Sequence, residues 1–337
     1  MKKLKIGLLG MGRIGRLHGD NVTYFIKNAE IVAAGDPMLN DSMKEWAADL
    51  GIQKVFDDPM KVVQDPEVEA VLICTSTAAH AELSIAAAKA GKHIFCEKPV
   101  HTDLNEIRKI LAEVEKAGVK FQVGFVRRFD HNHKAVRDTV ASGKLGAPSV
   151  VKVTSRDPAD QPMTYISTSG GIHIDMTIHD FDMVRYLSGS EVTEVVAYGS
   201  CANPEYAKYN DVDTTIIMMK FENGALGVID NTRASKYGYD QRTEVQCVEG
   251  CVQVSNDLEN TAMISSAEGV SSAKPTWFFL ERYNNAFVAE EQAFVDAILN
   301  DTEVPVNGHD GLMPVAIAIA AKKSLEEGRP VKLSEVL

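Results

Sequence analysis

Two distant stretches of the chain carry side chains of the types that move protons and stabilise charge. Asp175 and His179 stand four residues apart behind Gly170-Gly171, and Lys98 lies in Glu97-Lys98-Pro99, directly after an apolar run. On a helix, a spacing of four places both side chains on one face, where a carboxylate can orient an imidazole and stabilise its protonated form. Such an imidazole can remove a hydroxyl proton near neutral pH, and an ammonium can stabilise an oxygen that gains negative charge. The pattern therefore indicates acid–base chemistry on a hydroxyl group.

The same residues have plainer interpretations. Asp175 and His179 could form a surface ion pair, and Lys98 could be a solvated lysine in a turn that Pro99 fixes. Three further polar residues in the same stretch as Asp175 offer rival partners or metal ligands: His173, Asp180 and Asp182. Because the spacing from His173 to His179 is poor for zinc and no third ligand is evident, the sequence favours catalysis without a metal.

A glycine-rich turn near the start of the chain predicts the site of a phosphate group. Gly10-Met11-Gly12-Arg13-Ile14-Gly15 follows an apolar run and precedes a helical pattern. The first glycine permits a tight turn, the second lets the backbone approach a pyrophosphate, and the third lets the helix pack against the sheet. Free amides and the helix dipole favour an anion there, so we expect a dinucleotide site. The contact residues would be Gly10, Gly12, Arg13, Ile14 and Gly15.

Asp36 ends the second apolar run, 21 residues after Gly15. A carboxylate at that strand end can accept the hydroxyls of an adenosine ribose, but it repels the extra phosphate of NADP. No Arg or Lys occurs between Asp36 and Lys44 to hold such a phosphate, which favours NAD. The alternative is that Asp36 caps the next helix.

Composition narrows the classes of protein and of partner. The chain has 337 residues, 45% of them hydrophobic and 24% charged, which suits a globular protein of about two domains. Its net charge of −12 disfavours nucleic acid and anionic membranes as partners. The basic start Met1-Lys2-Lys3-Leu4-Lys5 leads into a glycine-broken run that is needed as the first strand, so we predict neither a signal peptide nor a membrane span.

Cysteine usage bears on the compartment. The five cysteines form no CxxC pair: Cys74, Cys96, Cys201, Cys247 and Cys251. Reduced thiols in apolar strands behave as small hydrophobes, which predicts a cytoplasmic location. Cys247 and Cys251 flank a Glu249-Gly250 turn, where hairpin residues are favoured over a metal site because further ligands are missing.

The order of predicted elements indicates an α/β protein with domains at 1–124 and 125–337. Strands alternate with helical stretches in the first domain, near 4–9, 30–35, 69–74, 92–96 and 119–124. This alternation is typical of a doubly wound parallel Rossmann sheet, which binds ligands at the carboxyl ends of its strands. Four strands and a hairpin predicted in the second domain favour an α+β fold on a large, mostly antiparallel open sheet: the strands near 149–155, 192–199, 214–221 and 224–230, and the hairpin at 243–254. We expect a surface loop at 265–276 and helices near 173–187, 281–300 and 310–327, the last two of which could pack back on the first domain.

Taken together, these motifs resemble the Gfo/Idh/MocA oxidoreductases, the group of glucose-fructose oxidoreductase and inositol dehydrogenase, over nearly the whole chain. The resemblance is carried by the glycine turn with Asp36, by Glu97-Lys98-Pro99, and by Gly170-Gly171 leading to Asp175 and His179. Four further stretches resemble the inositol 2-dehydrogenase branch: 124–130, 155–158, 230–231 and 237–242. The resemblance implies an NAD-dependent dehydrogenase that oxidises a cyclic polyol, foremost myo-inositol, to a ketone.

Roles for individual residues follow from the resemblance. It implies a catalytic triad of Lys98, Asp175 and His179, in which His179 takes the hydroxyl proton and Asp175 orients it. It implies further cofactor contacts by Thr75, Ser76 and Glu97, although Thr75 and Ser76 could simply cap a helix. The candidates for holding the other ring hydroxyls are Arg127, Asp157, Tyr237 and Tyr283. Each could be structural instead, Arg127 by pairing with an acid, and spacing alone does not choose between Tyr237 and Tyr239.

Assembly and substrate leave alternatives open. The resemblance implies sheet-to-sheet pairing into homotetramers. The nearest alternative function is a dehydrogenase for scyllo- or chiro-inositol or for a pyranose sugar. A non-catalytic sensor of NAD and sugar belongs to a different class, and the presence of Lys98, Asp175 and His179 argues against it.

Overall fold

The computed structural model describes residues 3–337, which form two compact units. The first unit runs to Val126 and includes Asn285–Val315; the second comprises Arg127–Asn284 and Ala316–Leu337. The predicted boundary at residue 124 thus lies close to the first crossing, and part of the C-terminal region belongs to the first unit. Met1 and Lys2 of the basic start lie outside the described residues.

A sheet of six parallel strands forms the first unit, in the order β3-β2-β1-β4-β5-β6. The strands are β1 (Leu4–Leu9), β2 (Ala29–Gly35), β3 (Lys54–Phe56), β4 (Ala70–Ile73), β5 (His93–Glu97) and β6 (Phe121–Gly124). The helices between them are α1 (Arg13–Phe25), α2 (Asp41–Asp49), α3 (Pro59–Gln64), α4 (Thr77–Lys89) and α5 (Leu104–Ala117). The predicted Rossmann arrangement is confirmed. The prediction missed β3, because three half-buried residues are too few to show a strand pattern.

The second unit is built on a mixed, mostly antiparallel sheet of seven strands, in the order β12-β11-β7-β10-β9-β8-β15. Its strands are β7 (Pro148–Arg156), β8 (Val192–Ser200), β9 (Thr214–Phe221), β10 (Leu226–Thr232), β11 (Asp240–Cys247), β12 (Gly250–Val254) and β15 (Val331–Lys332). Only β7 and β10 pair in parallel. Buried and exposed residues alternate along β9, as expected for a sheet with one packed face. The prediction missed β15, which has two residues.

Helices cover this sheet or close the chain. They are α6 (His131–Ala141), α7 (Met163–Ile166), α8 (Ile172–Asp175), α9 (Ile178–Ser188), α10 (Phe279–Arg282), α11 (Asn284–Leu299) and α12 (Gly308–Glu327). Short 3₁₀ turns lie at Val126–Phe129, Tyr206–Tyr209 and Leu333–Glu335. Over the described residues, no helix combines the length and the apolar character needed to cross a bilayer.

Two hairpins of the second unit lie where the sequence predicted a surface loop and a hairpin. The loop predicted at 265–276 is wrong in part, since β13 (Met263–Ser266) and β14 (Gly269–Ser272) pair there as an exposed hairpin. Its strands lie wholly at the surface, so no buried face imposes the alternation by which strands are recognised. The hairpin predicted at 243–254 is confirmed as β11 and β12, with Cys247 opposite Gly250 and Cys251 opposite Gln246.

Candidate active site

The glycine turn leaves its middle glycine open to a ligand. Gly10 has a φ of 96°, and a Cβ there would lie 2.7 Å from the carbonyl oxygen of Cys74. A Cβ on Gly15 would lie 1.9 Å from the carbonyl oxygen of Gly10, so both outer glycines are required by close backbone packing. A Cβ on Gly12 would meet nothing within 4 Å. The turn therefore fits a dinucleotide, because Gly12 exposes backbone at the start of α1 where a phosphate can approach.

Asp36 holds this turn in place. Its Oδ2 accepts a hydrogen bond from the Met11 amide at 2.7 Å, and its Oδ1 accepts one from the Met38 amide at 2.8 Å. The alternative that Asp36 caps the next helix is wrong, since Asn40 is the N-cap of α2 and accepts from the Met43 amide. Asp36 thus joins the end of β2 to the glycine turn, where a ribose hydroxyl could also reach its carboxylate.

A cation lies near this strand end that the sequence analysis missed. Arg16 donates from Nη2 to Ser42 Oγ at 3.1 Å and from Nε to the Met11 carbonyl at 3.3 Å. Arg16 belongs to α1 and Ser42 to α2, so only the packing of two helices brings the guanidinium beside the loop after Asp36. A search for Arg or Lys within the sequence of that loop therefore cannot identify Arg16.

Thr75 and Ser76 follow β4 and precede α4. Ser76 occupies the N-cap position, but its side chain makes no capping hydrogen bond, so the alternative of simple capping does not hold for it. The Thr75 hydroxyl donates to the Ser76 carbonyl at 3.4 Å. The backbone at Cys74 and Thr75 lies against Gly10, which places the start of this loop beside the glycine turn.

Glu97 ends β5, and Lys98 follows it at the carboxyl edge of the sheet. Glu97 Oε2 accepts from the Lys98 amide at 3.2 Å, and Glu97 Oε1 lies 2.8 Å from His18 Nε2. His18 Nδ1 lies 2.6 Å from Glu291 Oε1. Burial opposes charge on His18, but Glu291 and Glu97 outweigh it and raise the pKa of the imidazole well above its usual value. The sequence analysis did not select His18, since a histidine inside a helical pattern carries no local mark of its partners.

The second unit positions Asp175 and His179 on different elements. Asp175 ends α8, Met176 and Thr177 form a break, and His179 lies in the first turn of α9. The stretch predicted as helical near 173–187 is helical, but it is divided into α8 and α9 rather than continuous. Thr177 is fully buried and donates its hydroxyl to Asn231 Oδ1 at 2.7 Å, a long-range contact that holds the residue where the helix is interrupted.

Two residues that the sequence analysis missed orient Asp175. Arg233 Nη1 donates to Asp175 Oδ2 at 2.9 Å, and the Tyr165 hydroxyl donates to Asp175 Oδ1 at 2.5 Å. Arg233 is fully buried, and Asp211 lies 3.6 Å from its Nη2. The Asp175 carboxylate is thus held in one orientation by a buried cation. No local pattern separates a buried arginine from an exposed one, so sequence reasoning had no signal for Arg233.

Arg127 pairs with a nearby acid, as one alternative anticipated. Its Nη1 donates to Asp180 Oδ1 at 2.6 Å, and its Nη2 donates to Ser155 Oγ and to the Tyr239 hydroxyl at 3.3 Å each. Because Arg127 is only 4% exposed, this pairing organises a buried polar cluster. Its role toward a substrate stays a prediction.

The tyrosine candidates fall into two groups. Tyr239 and Tyr283 are buried with ring centroids 5.9 Å apart, and Tyr239 joins the Arg127 cluster. The Tyr283 hydroxyl is buried and has no hydrogen-bond partner among residues 3–337. Tyr237 is 40% exposed and donates to Asp240 Oδ2 at 2.5 Å. The geometry therefore favours Tyr239 over Tyr237 as the companion of Tyr283, whose orphaned hydroxyl could be satisfied by a ligand hydroxyl.

Asp157 follows β7 and lies among charged groups of the same unit. Burial raises its pKa to about 6; Asp175 and Asp180 add to that effect, while Arg233 and Arg127 oppose it. Between pH 4 and 6 the native state therefore holds a proton that the unfolded chain releases, so the free energy of unfolding falls as pH rises through this range.

Asp157→Asn is expected to remove the loss of stability that comes from burying the ionised Asp157 carboxylate. The variant should melt about 2–4 °C higher than the wild type at pH 8, and the difference should largely disappear by pH 4, near the pKa of the unfolded carboxyl, below which both states hold the proton. Thermal melts at both pH values check this, with Asp138→Asn, an exposed acid of the same unit, as the control. A gain in melting temperature that is equally large at pH 4 would show that burial of the charge is not its cause.

The residues of the second unit that were considered as alternative metal ligands contact other side chains instead. Asp182 binds Arg128 at 2.6 Å, and His173 Nε2 lies 3.3 Å from Thr215 Oγ1, with its pKa lowered to about 4 by burial. Within the described chain, the groups of histidine and acidic side chains with ligand atoms inside 4.8 Å of one another include neither Asp175 nor His179.

Comparison with known proteins decides the family. Residues 4–125 match the oxidoreductase family with an NAD-binding Rossmann fold, and residues 133–253 match the GFO/IDH/MocA C-terminal domain. The chain belongs to the Gfo/Idh/MocA oxidoreductase family. The predicted family and fold class are thereby confirmed. The parallel sheet of the first unit lies within the region that matches the Rossmann domain, and strands of the mixed sheet lie within the region that matches the C-terminal domain.

Individual members of the family are similar over their full length. The myo-inositol 2-dehydrogenase of Thermotoga maritima is 45% identical and covers 99% of this chain and 100% of its own. The scyllo-inositol 2-dehydrogenase (NAD(+)) of Bacillus subtilis is 36% identical, with coverage of 98% and 96%. The crystal structure of scyllo-inositol dehydrogenase from Lactobacillus casei, with bound NAD(H) and scyllo-inositol, superposes with a TM-score of 0.91 at 32% identity, with coverage of 99% and 100%.

Proposed function

We propose that this enzyme oxidises a secondary hydroxyl of an inositol to a ketone with NAD as the hydride acceptor, and that myo-inositol is its main substrate. The observation that carries the proposal is the full-length similarity, at 45% identity, to a protein named myo-inositol 2-dehydrogenase. The buried polar cluster of the second unit supports it, since a polyol needs several short polar groups for its orientation.

The residues present fit the cofactor. Gly12 at the open turn would face the pyrophosphate, Asp36 would accept the adenosine ribose hydroxyls, and Thr75, Ser76 and Glu97 would line the remainder. NAD, when bound, supplies a nicotinamide ring that accepts hydride. The fit rests on the empty space at Gly12 and on the fixed carboxylate of Asp36.

The protein's own residues would manage the proton and the charge. His179 would take the proton of the reacting hydroxyl, and Asp175, fixed by Arg233 and Tyr165, would orient and tune that step. Lys98 would stabilise the substrate oxygen as it gains negative charge. Arg127, Asp157, Tyr283 and Tyr239, which the geometry favours over Tyr237, would hold the other ring hydroxyls. These roles are the ones that the family resemblance implies, and the contacts of Asp175 and Arg127 described above support them.

Scyllo-inositol is a second candidate substrate, because the chain is also similar to a protein named for that isomer. The relative named scyllo-inositol 2-dehydrogenase is 36% identical over 98% of the chain. A panel of kcat/KM values for myo-, scyllo- and chiro-inositol and for glucose, with NMR identification of each product, tests the choice. We expect myo-inositol to give the highest value and 2-keto-myo-inositol as product. A preference for glucose over every inositol would contradict the proposal, and NAD binding without any NADH formation would favour a sensor.

The preference for NAD over NADP is expected to depend on Asp36. Asp36→Asn keeps an acceptor for the Met11 amide but removes the charge that repels a 2′-phosphate, and Arg16 is near the same loop. We expect the ratio of kcat/KM for NAD to that for NADP to fall about 10- to 100-fold, since charged hydrogen bonds contribute about 1.5–3 kcal/mol each. Steady-state kinetics with both cofactors check this. Asp41→Asn, an exposed acid in α2, is the control, and an unchanged ratio in Asp36→Asn would refute the role.

We further propose a homotetramer that assembles through the open sheet of the second unit. Exposed apolar side chains on that sheet support it: Tyr198, Ile216, Met218 and Leu226. Tyr198 pairs with Ile216 across β8 and β9, so their side chains share one face. Such a face is stable when another sheet covers it. Light scattering tests the proposal, and a monomer at micromolar concentration would reject it.

A cytoplasmic location is also proposed. Five free cysteines support it, since none forms a disulfide in the structure. Cys96 is buried in β5, and burial raises the pKa of its thiol. Fractionation of the native host tests the location.

A further inference from the structure

Two buried histidines hold the loop that carries Lys98, and neither has a role in the function proposed above. His18 lies in α1, the helix that begins at the glycine turn, and is fully buried. His80 lies in α4, the helix that begins after Thr75-Ser76, and is 1% exposed. Both belong to the first unit, as does Lys98.

His18 reaches the loop through Glu97. Its Nε2 lies 2.8 Å from Glu97 Oε1, and the other oxygen of the same carboxylate accepts from the Lys98 amide at 3.2 Å. Its Nδ1 points the other way, to Glu291 Oε1 at 2.6 Å, and Asn21 donates to the same oxygen at 3.0 Å. Because both ring nitrogens have partners, the His18 ring is held in one orientation. Its contact in turn fixes the position of the Glu97 carboxylate.

Packing also confines Glu97. A Cβ added at Gly124 would lie 3.1 Å from the Glu97 carboxyl carbon, so the carboxylate already rests on bare backbone. The His18 ring meets Phe95 edge-on at 5.2 Å between centroids. Burial, and next to it the neighbouring Glu97 carboxylate, raise the pKa of the Glu290 carboxyl well above its usual value.

His80 reaches the same loop from its other end. Its Nδ1 lies 2.9 Å from the carbonyl oxygen of Pro99, and its Nε2 lies 3.1 Å from the carbonyl oxygen of Thr75. His80 therefore lies between the loop of Lys98 and the loop of Thr75, and a neutral imidazole, with one ring N–H, donates to one of the two carbonyls at a time. Together the two histidines contact the residues on both sides of Lys98.

We propose that His18 and His80 are positioning residues for Lys98, which tie its loop to the two helices whose first turns are proposed to hold the cofactor. The inference rests on the proposed role of Lys98. Its physical basis is that a displacement of about 1 Å of a catalytic group can cost about 10²-fold in rate. Neither histidine touches the substrate in this scheme, and each acts through Glu97 or through the Pro99 carbonyl.

The two histidines face the loop with different ring nitrogens, which allows a crossed test. Glutamine places a donor near the position of Nε2, and asparagine places one near Nδ1. His18→Gln and His80→Asn should therefore keep the contact with the lysine loop, whereas His18→Asn and His80→Gln should lose it. We expect the two contact-losing variants to fall about 10- to 100-fold in kcat, and the two contact-keeping variants to lose less than about 5-fold.

The measurements are kcat, the dissociation constant of NADH by fluorescence, and the melting temperature of each full-length variant. NADH affinity should change less than about 3-fold in all four, since no cofactor contact is removed. The proposal would be overturned if the glutamine variant had the higher kcat at both positions, or if the asparagine variant had it at both. An effect of side-chain size or of stability alone would produce the same order at both positions. Should a His18 variant fail to fold, equal kcat values for His80→Asn and His80→Gln would overturn it.

Failure of this inference differs from failure of the proposed function. If Lys98→Ala keeps full activity, the role of Lys98 is wrong and the histidines have nothing to position. If Lys98→Ala is inactive while the histidine variants follow one common order, only the positioning role is rejected.

Discussion

Lys98→Ala is expected to lower kcat by about 10³-fold or more while the affinity for NADH stays within about 3-fold. The substitution removes the ammonium that would stabilise the substrate oxygen as charge develops, and one such preorganised donor contributes about 10²- to 10³-fold. Its loss should also disturb orientation of the hydroxyl, which adds to the effect. Lys98 follows β5, and the hydrogen bond from its backbone amide to Glu97 does not depend on the side chain that the substitution removes. Stopped-flow kinetics and NADH fluorescence measure the two quantities.

The control for this variant is Lys89→Ala. Lys89 is an exposed lysine in the last turn of α4, within the same unit, so it tests loss of a surface charge without loss of the proposed chemistry. We expect it to match the wild type. Wild-type kcat in Lys98→Ala would remove Lys98 from the mechanism, and a parallel loss of NADH binding would assign it to the cofactor instead.

His179→Ala is expected to lower kcat by about 10²- to 10⁴-fold, the range that a positioned general base contributes. The remaining rate should rise with pH, because hydroxide in solution replaces the missing base. In the wild type, the rate should instead reach a plateau once the imidazole is neutral. A pH profile of kcat for both proteins separates loss of a base from loss of a structural contact.

His173→Asn is the matched control for His179→Ala. His173 lies six residues earlier on α8, is buried, and faces Thr215 rather than Asp175. We expect its kcat to stay within about 3-fold of the wild type, with an unchanged pH profile. If His179→Ala showed a wild-type plateau, the base would have to be sought elsewhere among the described residues.

Local patterns predicted much of the first unit. Alternating strands and helices indicated the parallel sheet, because each element satisfies its own backbone and shows its own hydrophobic period. The spacing of Gly10, Gly12 and Gly15 with Asp36 indicated the dinucleotide turn, since all four residues act within one strand–turn–helix–strand segment. Prediction failed where elements were short, as in β3 and β15, or where polar residues concealed a pairing, as in the hairpin of β13 and β14.

Residue types and short spacings were thus enough to indicate the family, the fold class and which side chains could perform the chemistry. Tertiary structure alone decided how those side chains are held: Arg233 meets Asp175 across 58 residues of chain, and His18 meets Glu97 across 79. The helix break between Asp175 and His179 has the same origin, in the buried contact of Thr177 with Asn231. The physical reason is that a buried polar group must find a partner, and the partner is determined by which elements pack together rather than by its neighbours in the chain.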